Sequence, residues 1–149
     1  MIAVVQRVSE ASVEVPEAGH SASIGAGLCV LLGVEEGDSE KDAEWMAGKI
    51  ARLRIFRDDQ GKMNRSVCDI GGEILLVSQF TLAGDCGQGN RPSFTRAAPP
   101  DVAEPLYQRV ISILRGKHHI PVKSGVFGGM MQVRLVNDGP VTLIVRTQE

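Results

Sequence analysis

The chain has 149 residues, 43% of them hydrophobic and 23% charged, with a formal net charge of −2. This composition excludes a disordered chain and supplies enough apolar side chain for one packed domain over residues 1–149. With aromatics at 4%, the core must rest on Val, Ile, Leu, Ala and Met.

Ile2–Val8 is rich in β-branched residues and predicts a strand, and Ala11–Val15 alternates weakly and is expected to pair with it. Glu17–Ser21, with Gly19, reads as a turn. Leu28–Val34 (LCVLLGV) is a continuous apolar run of strand length and predicts a buried strand. Asp38 or Ser39 can cap a helix that runs to about Arg52, with Ala43, Met46, Ala47, Ile50 and Leu53 along one face. Leu53–Phe56 predicts a strand and Asp58–Lys62 a turn. Glu73–Leu82 predicts a strand that ends in polar chemistry, and Ala83–Pro92 is a Gly-rich loop.

A second helix is expected from Asp101. Asp101 and Glu104 have capping-box spacing, Pro105 falls in the first turn, and Leu106, Val110, Ile113 and Leu114 share a face that Gly116 can end. Met131–Asn137 and Val141–Arg146 predict two strands joined at Asp138-Gly139-Pro140, a hairpin signal. Six or seven strands, two helices and no βαβ alternation define an α+β fold with helices covering a sheet.

The net charge hides an uneven distribution. Residues 35–44 carry −5, leaving +3 for the rest. Pro105–Asn137 holds five Lys/Arg and no acid, with His118 and His119 besides, and residues 49–65 hold six basic groups against Asp58 and Asp59. Such segments suit phosphate through counterion release, and also suit two solvated faces.

Most catalytic devices are unsupported. His118 and His119 are adjacent, His20 is distant and no HExxH occurs, so neither a metal site nor a cofactor is expected. Ser78 is not in GxSxG, and GDCGQGNRP contains no GxxxxGK[ST]. Cys29, Cys68 and Cys86 lack CxxC spacing, which fits a reducing compartment. No apolar run approaches ~18 residues and no secretory leader is recognised, so a cytoplasmic protein without a membrane partner is expected.

Two segments remain unusual. In Ser78-Gln79-Phe80-Thr81-Leu82, an apolar strand runs directly into hydroxyl and amide groups, which can present donors to a ligand or simply satisfy local backbone. In Asn137–Thr142 (NDGPVT), Pro140 lacks a donor. Gly139–Pro140 is either part of a plain turn or a cis bond that re-aims the Gly139 carbonyl.

Together these segments resemble the D-aminoacyl-tRNA deacylases, once called D-tyrosyl-tRNA deacylases. SQFTL stands unbroken at Ser78–Leu82, and NxGPVT stands as Asn137–Thr142. The resemblance extends through AVVQRVSEASV, LRIFRDDQGKMNRSV, GNRPSF and GVFGGMMQV, nearly the whole chain. It implies a barrel-like homodimer that hydrolyses the ester of D-aminoacyl-tRNA at its acceptor end, without cofactor or other protein partner.

In that scheme Ser78, Gln79, Phe80 and Thr81 form the catalytic segment. Asn137, Gly139 and Pro140, donated across the dimer with a cis Gly139–Pro140 bond, read chirality, and Phe127 and Met131 line the substrate site. Glycyl-tRNA, with no side chain to reject, is implied as a further substrate. One departure stands out: the family often has Phe-Gly-Ala where this chain has Phe127-Gly128-Gly129. The alternatives are a non-catalytic RNA-binding module on the same scaffold, and the sister class that clears L-alanyl-tRNA, against which the intact motifs argue.

Overall fold

The computed structural model describes residues 1–147. In chain order its elements are β1 (Ile2–Val15), β2 (His20–Ile24), β3 (Gly27–Gly33), α1 (Glu40–Arg52), β4 (Phe56–Arg57), β5 (Met63–Arg65), β6 (Glu73–Ser78), α2 (Pro100–Gly116), β7 (Val122–Ser124) and β8 (Gln132–Arg146). One six-stranded sheet has the order β2-β1-β3-β6-β7, with β8 paired to β1, while β4 and β5 make a separate ribbon. β6 runs parallel to β3 and β7, and the remaining pairs are antiparallel. The sheet rolls nearly into a barrel. Where β2 meets β7, His20 Nε2 donates to the Ser124 carbonyl at 2.8 Å and Lys123 Nζ to the Ser23 carbonyl at 2.7 Å.

The apolar runs of β3 and β6 explain this architecture, because they are buried on both faces. Leu28, Val30, Leu32, Ile74 and Leu76 join the core shared with α1 and α2, while the alternate residues Cys29, Leu75 and Val77 join a second core inside the roll. Each fully buried side chain of this size stabilises the fold by about 1.5–3 kcal/mol. Burial also pushes the Cys29 thiol up to about 11.

β1 serves both cores in turn. Ala3 and Val5 belong to the helical core, whereas Val8, Ala11, Val13 and Val15 belong to the inner one. Its partner β8 makes the same change, with Leu135 packed on the inner core and Val141, Leu143 and Val145 on the helical one. Pairing breaks at the crossing: Gln6 faces Thr142 and Val8 faces Asn137, so Asp138–Val141 stand opposite Arg7 alone.

Several expectations are corrected. Ile2–Val8 and Ala11–Val15 do not pair with each other, because they are one continuous strand; β2 pairs with Ala11–Val15 around a turn closed by Gly19 at φ 59°. Asp138-Gly139-Pro140 is not a hairpin turn. It is a bulge inside β8, because both flanks pair with β1.

The strand expected over Glu73–Leu82 stops at Ser78, since Phe80–Ala83 coils into a 3₁₀ turn. The strand expected over Leu53–Phe56 reduces to Phe56–Arg57, paired with Met63–Arg65 across a turn in which the Asp58 carboxylate accepts from the Gln60 and Lys62 N–H groups.

The helix α1 begins as expected after Ser39, whose N–H donates to the Asp42 carboxylate at 2.9 Å. By contrast α2 starts at Pro100 with Pro99 as its cap, so the Asp101–Glu104 capping box does not form and Pro105 lies in the second turn. β7 has no counterpart in the sequence reading.

At Gly27 of β3 an added Cβ would overlap the Glu73 backbone of β6. Backbone cannot give way as a side-chain end can. Gly27→Ala is therefore expected to cost roughly 3 kcal/mol, measured as a loss of denaturant midpoint at unchanged m-value.

Candidate active site

Parallel pairing brings the carboxyl ends of β3 and β6 side by side, with Ser78 opposite Leu32. A crevice outside the carboxyl ends of parallel strands is the usual place for a ligand. The Gln79 N–H donates to the Leu32 carbonyl at 2.8 Å, and the chain then coils through Phe80–Ala83. Gly33 makes room for this turn, since a Cβ there would stand 2.9 Å from the Gln79 carbonyl oxygen and 3.2 Å from Leu82 Cβ. Pro100, Ala103 and Tyr107 of α2 close one wall and the Phe127–Met131 turn another, enclosing a cavity of about 570 Å³.

Ser78, Gln79, Phe80, Phe127 and Met131 all line this cavity. Thr81 is exposed beside it, not in its wall, and its hydroxyl accepts from the Gln79 amide at 2.5 Å. Asn137, Gly139 and Pro140 do not line it within one chain. They form the β8 bulge, where the Gly139–Pro140 bond is cis and both residues are exposed.

The chemistry of the cavity is narrow. Its wall is apolar apart from the Ser78–Gln79 rim and Tyr107, the one titratable side chain among the lining residues. Burial pushes the Tyr107 hydroxyl up to about 12, and it donates to the Leu76 carbonyl at 3.0 Å. Tyr107 and Phe127 rings pack 5.8 Å apart, and at the mouth Phe80 and Phe94 meet edge-on at 5.3 Å. The N–H groups of Phe80 and Thr81 open a 3₁₀ turn that no Gln79 side-chain bond caps, so they are free to point at a ligand. Among the described residues no group of three His, Cys, Asp or Glu could hold a metal ion.

At Gly129 an added Cβ would stand 2.9 Å from the buried Val15 Cγ1 and 3.2 Å from the Val126 carbonyl oxygen.

The sequence reading missed Arg7, Tyr107, Phe94 and Gly33. Arg7 had a signal: its parity with Ala3 and Val5 turns it inward. It is 4% exposed. It donates from Nε to the Asp138 carbonyl and from Nη1 to the Ile55 carbonyl, each at 2.7 Å. No buried side-chain nitrogen or oxygen among the described residues lacks a partner.

Asn137 fixes the other side of the bulge. It accepts from the Val141 N–H at 2.7 Å and donates to the Val141 carbonyl and the Thr142 hydroxyl at 3.1 and 3.0 Å. Arg7→Met keeps the packing of the stem but orphans two carbonyls. It is expected to destabilise the protein by about 2 kcal/mol in thermal unfolding, with added hydrogen-exchange lability confined first to residues 138–141.

Known proteins resemble this chain over nearly its whole length. The chain matches the D-Tyr-tRNA(Tyr) deacylase family over residues 4–146. The D-aminoacyl-tRNA deacylase of Desulfitobacterium hafniense is 57% identical over 149 residues, covering 100% of this chain and 99% of that protein. That of Geobacter sulfurreducens is 57% identical over 148 residues, covering 99% and 96%. A solved structure described as c-Myc DNA unwinding element binding protein has a TM-score of 0.90 at 46% identity over all of both chains. A probable eukaryotic D-amino acid tRNA deacylase, at 20% identity and a TM-score of 0.80 over 97% of each chain, shares the fold. The chain is therefore an enzyme, a hydrolase that belongs to the D-Tyr-tRNA(Tyr) deacylase family.

Proposed function

We propose that this deacylase hydrolyses the ester joining a D-amino acid to the terminal adenosine of tRNA, spares the L-aminoacyl ester, and acts as a homodimer in the cytoplasm. The observation that carries the reading is the coincidence of Ser78–Phe80 with the rim of an otherwise apolar cavity. Water adds to the ester carbonyl, and the tetrahedral oxyanion then collapses, expelling the ribose hydroxyl and freeing the amino acid. The unpaired Phe80 and Thr81 N–H groups are suited to hold that oxyanion.

The Thr81 hydroxyl has an amide as its partner rather than a base. Positioning is therefore favoured over covalent catalysis, with the substrate's own 2′-hydroxyl available to assist the water. An aminoacyl ester is activated enough for this to suffice.

The dimer reading rests on β8. Among the described residues no strand pairs with its outer edge, Val136 and Ile144 are 49% and 69% exposed, and the Gly139–Pro140 bulge does not line its own chain's cavity. Inserted into a second copy, the Gly139 and Pro140 carbonyls would meet the ammonium of a D-amino acid and clash with the side chain of an L-amino acid. Phe127 and Met131 would contact the adenosine, and glycyl-tRNA would be cleaved in part. Among the described residues no helix is long and apolar enough to cross a membrane.

The test is amino-acid release from D-Tyr-tRNA and L-Tyr-tRNA, side by side, in EDTA. Cleavage of the D ester alone is expected. Cleavage of neither, with aminoacyl-tRNA retained, would establish the non-catalytic RNA-binding alternative. Thr81→Ala is expected to keep kcat within about tenfold, whereas loss to background would make the hydroxyl a nucleophile. At Gly139 an added Cβ would stand 2.9 Å from Val141 and 3.1 Å from Arg7 Nη2. Gly139→Ala is accordingly expected to raise cleavage of L-Tyr-tRNA relative to D-Tyr-tRNA, read from the same assay.

A further inference from the structure

We propose that Phe94 is a positioning residue for the hydrolysis: its ring braces the Phe80–Ala83 turn and so keeps the Phe80 and Thr81 N–H groups aimed at the oxyanion. The proposal rests on the deacylase reading of those two donors and adds what fixes their direction.

The turn is a weak element by itself. Within it the Leu82 N–H donates to the Gln79 carbonyl at 3.3 Å and the Gly84 N–H to the Thr81 carbonyl at 2.9 Å, and no side-chain bond caps its start. Short 3₁₀ turns have poorer hydrogen-bond geometry than an α-helix. Yet a backbone donor serves an oxyanion best when its direction is set before the reaction begins. That direction must come from what packs against the turn.

Phe94 touches both of its ends. At the start its ring meets the Phe80 ring at 72°, with centroids 5.3 Å apart. At the finish it lies against Gly84, where an added Cβ would stand 2.9 Å from Phe94 Cε1 and 3.2 Å from Cδ1. Gly84 has φ −66°, which any residue adopts. Glycine therefore serves close approach at 84 rather than backbone freedom, since the Phe94 ring and the Thr81 carbonyl occupy the space a side chain would need.

The ring is itself held from behind. Asp85 and Ser93 exchange two backbone bonds at 2.7 and 2.9 Å, and the Ala97 N–H donates to the Phe94 carbonyl at 3.1 Å. The Ala98 N–H donates to the Val34 carbonyl at 3.0 Å, and Arg96 pairs with Glu35 at 2.9 Å. Phe94 thus stands on a segment tied at one side to the exit of the turn and at the other to the chain leaving β3.

Burial does not account for this placement. Phe94 is 37% exposed and Phe80 57%, and neither belongs to either hydrophobic core. A ring outside both cores contributes little to global folding, so its substitution separates positioning from stability.

The experiment compares the native protein with Phe94→Leu, which keeps apolar bulk without a flat ring edge, and Phe94→Tyr, which keeps the ring. The readouts are kcat and KM on D-Tyr-tRNA, the melting temperature and amide hydrogen exchange. Phe94→Leu is expected to lower kcat about tenfold, to keep KM within about twofold and to melt within about 4 °C of the parent. Exchange should quicken at Leu82 and Gly84, whose N–H groups close the turn, and stay at the parental rate in β3 and β6. Phe94→Tyr is expected to keep kcat within about twofold.

Unchanged kcat in Phe94→Leu, with the native protein cleaving the D ester, would overturn the positioning role alone. A raised KM at parental kcat would also overturn it, by making Phe94 a contact for the tRNA. An equal loss of kcat in Phe94→Tyr would show that the ring edge is not what matters. Melting far below the parent, with exchange quickened throughout the sheet, would make the ring a prop of the whole fold and sink the proposal as well. If the native protein leaves D-Tyr-tRNA intact, the deacylase reading falls and the positioning role with it.

Discussion

The β1–β8 ribbon has to serve two cores, and a β-strand offers only two directions for its side chains. A ribbon that packs on the helical core at one end and inside the roll at the other must therefore break its pairing where it changes over. The break falls between Gln6 and Val8 on one strand and between Asn137 and Thr142 on the other. Buried carbonyls left without donors at such a point would each cost about 1–3 kcal/mol. Arg7 and Asn137 meet that demand, at the Asp138 carbonyl and at both backbone groups of Val141. The Gly139–Pro140 segment projects from the ribbon because the ribbon changes cores there. It is held firmly because the groups beneath it are hydrogen-bonded.

The cavity follows from a different constraint at the opposite end of the same sheet. Because β3 and β6 run parallel, their last residues arrive together, and neither chain can continue without turning away. Gly33 lets the turn at Gln79 lie directly against the end of β3. The first polar groups after the apolar run Ile74–Val77 then stand on the rim of an apolar space. Little in this wall can exchange a proton near neutrality, since burial holds the Tyr107 hydroxyl in its neutral form. A site of this kind acts through shape and fixed backbone donors, which suits an ester that is already activated.

Sequence reasoning located the helices, the buried strands and the segment that lines the cavity, because each has a local signature. The continuous apolar runs fix β3 and β6, and the capping residues at Ser39 fix the start of α1. It failed where the deciding interaction is distant. Asp138-Gly139-Pro140 carries the composition of a hairpin turn, and only the pairing of both flanks with β1 shows that the chain goes straight on. Val122–Ser124 is too short to stand out, and is a strand only because β6 pairs with it. Arg7 looks like a surface residue until the inward parity of its strand is taken seriously.

On the proposed reading, the Arg7 anchor and the chiral filter are one device. A pocket that selects by favourable contact gains only about 1–3 kcal/mol per methylene and must fit one side chain, which a filter accepting many amino acids cannot do. A wedge that selects by overlap leaves the accepted side chain untouched, so its discrimination is limited by how far the wedge can yield rather than by affinity. Rigidity is then the property that matters. A bulge held by one charge-assisted bond from Arg7, which is itself tied to the Ile55 carbonyl, and three bonds from Asn137 has that rigidity without a partner strand. The same residues that let the ribbon change cores would thus set how sharply the enzyme tells one hand of an amino acid from the other.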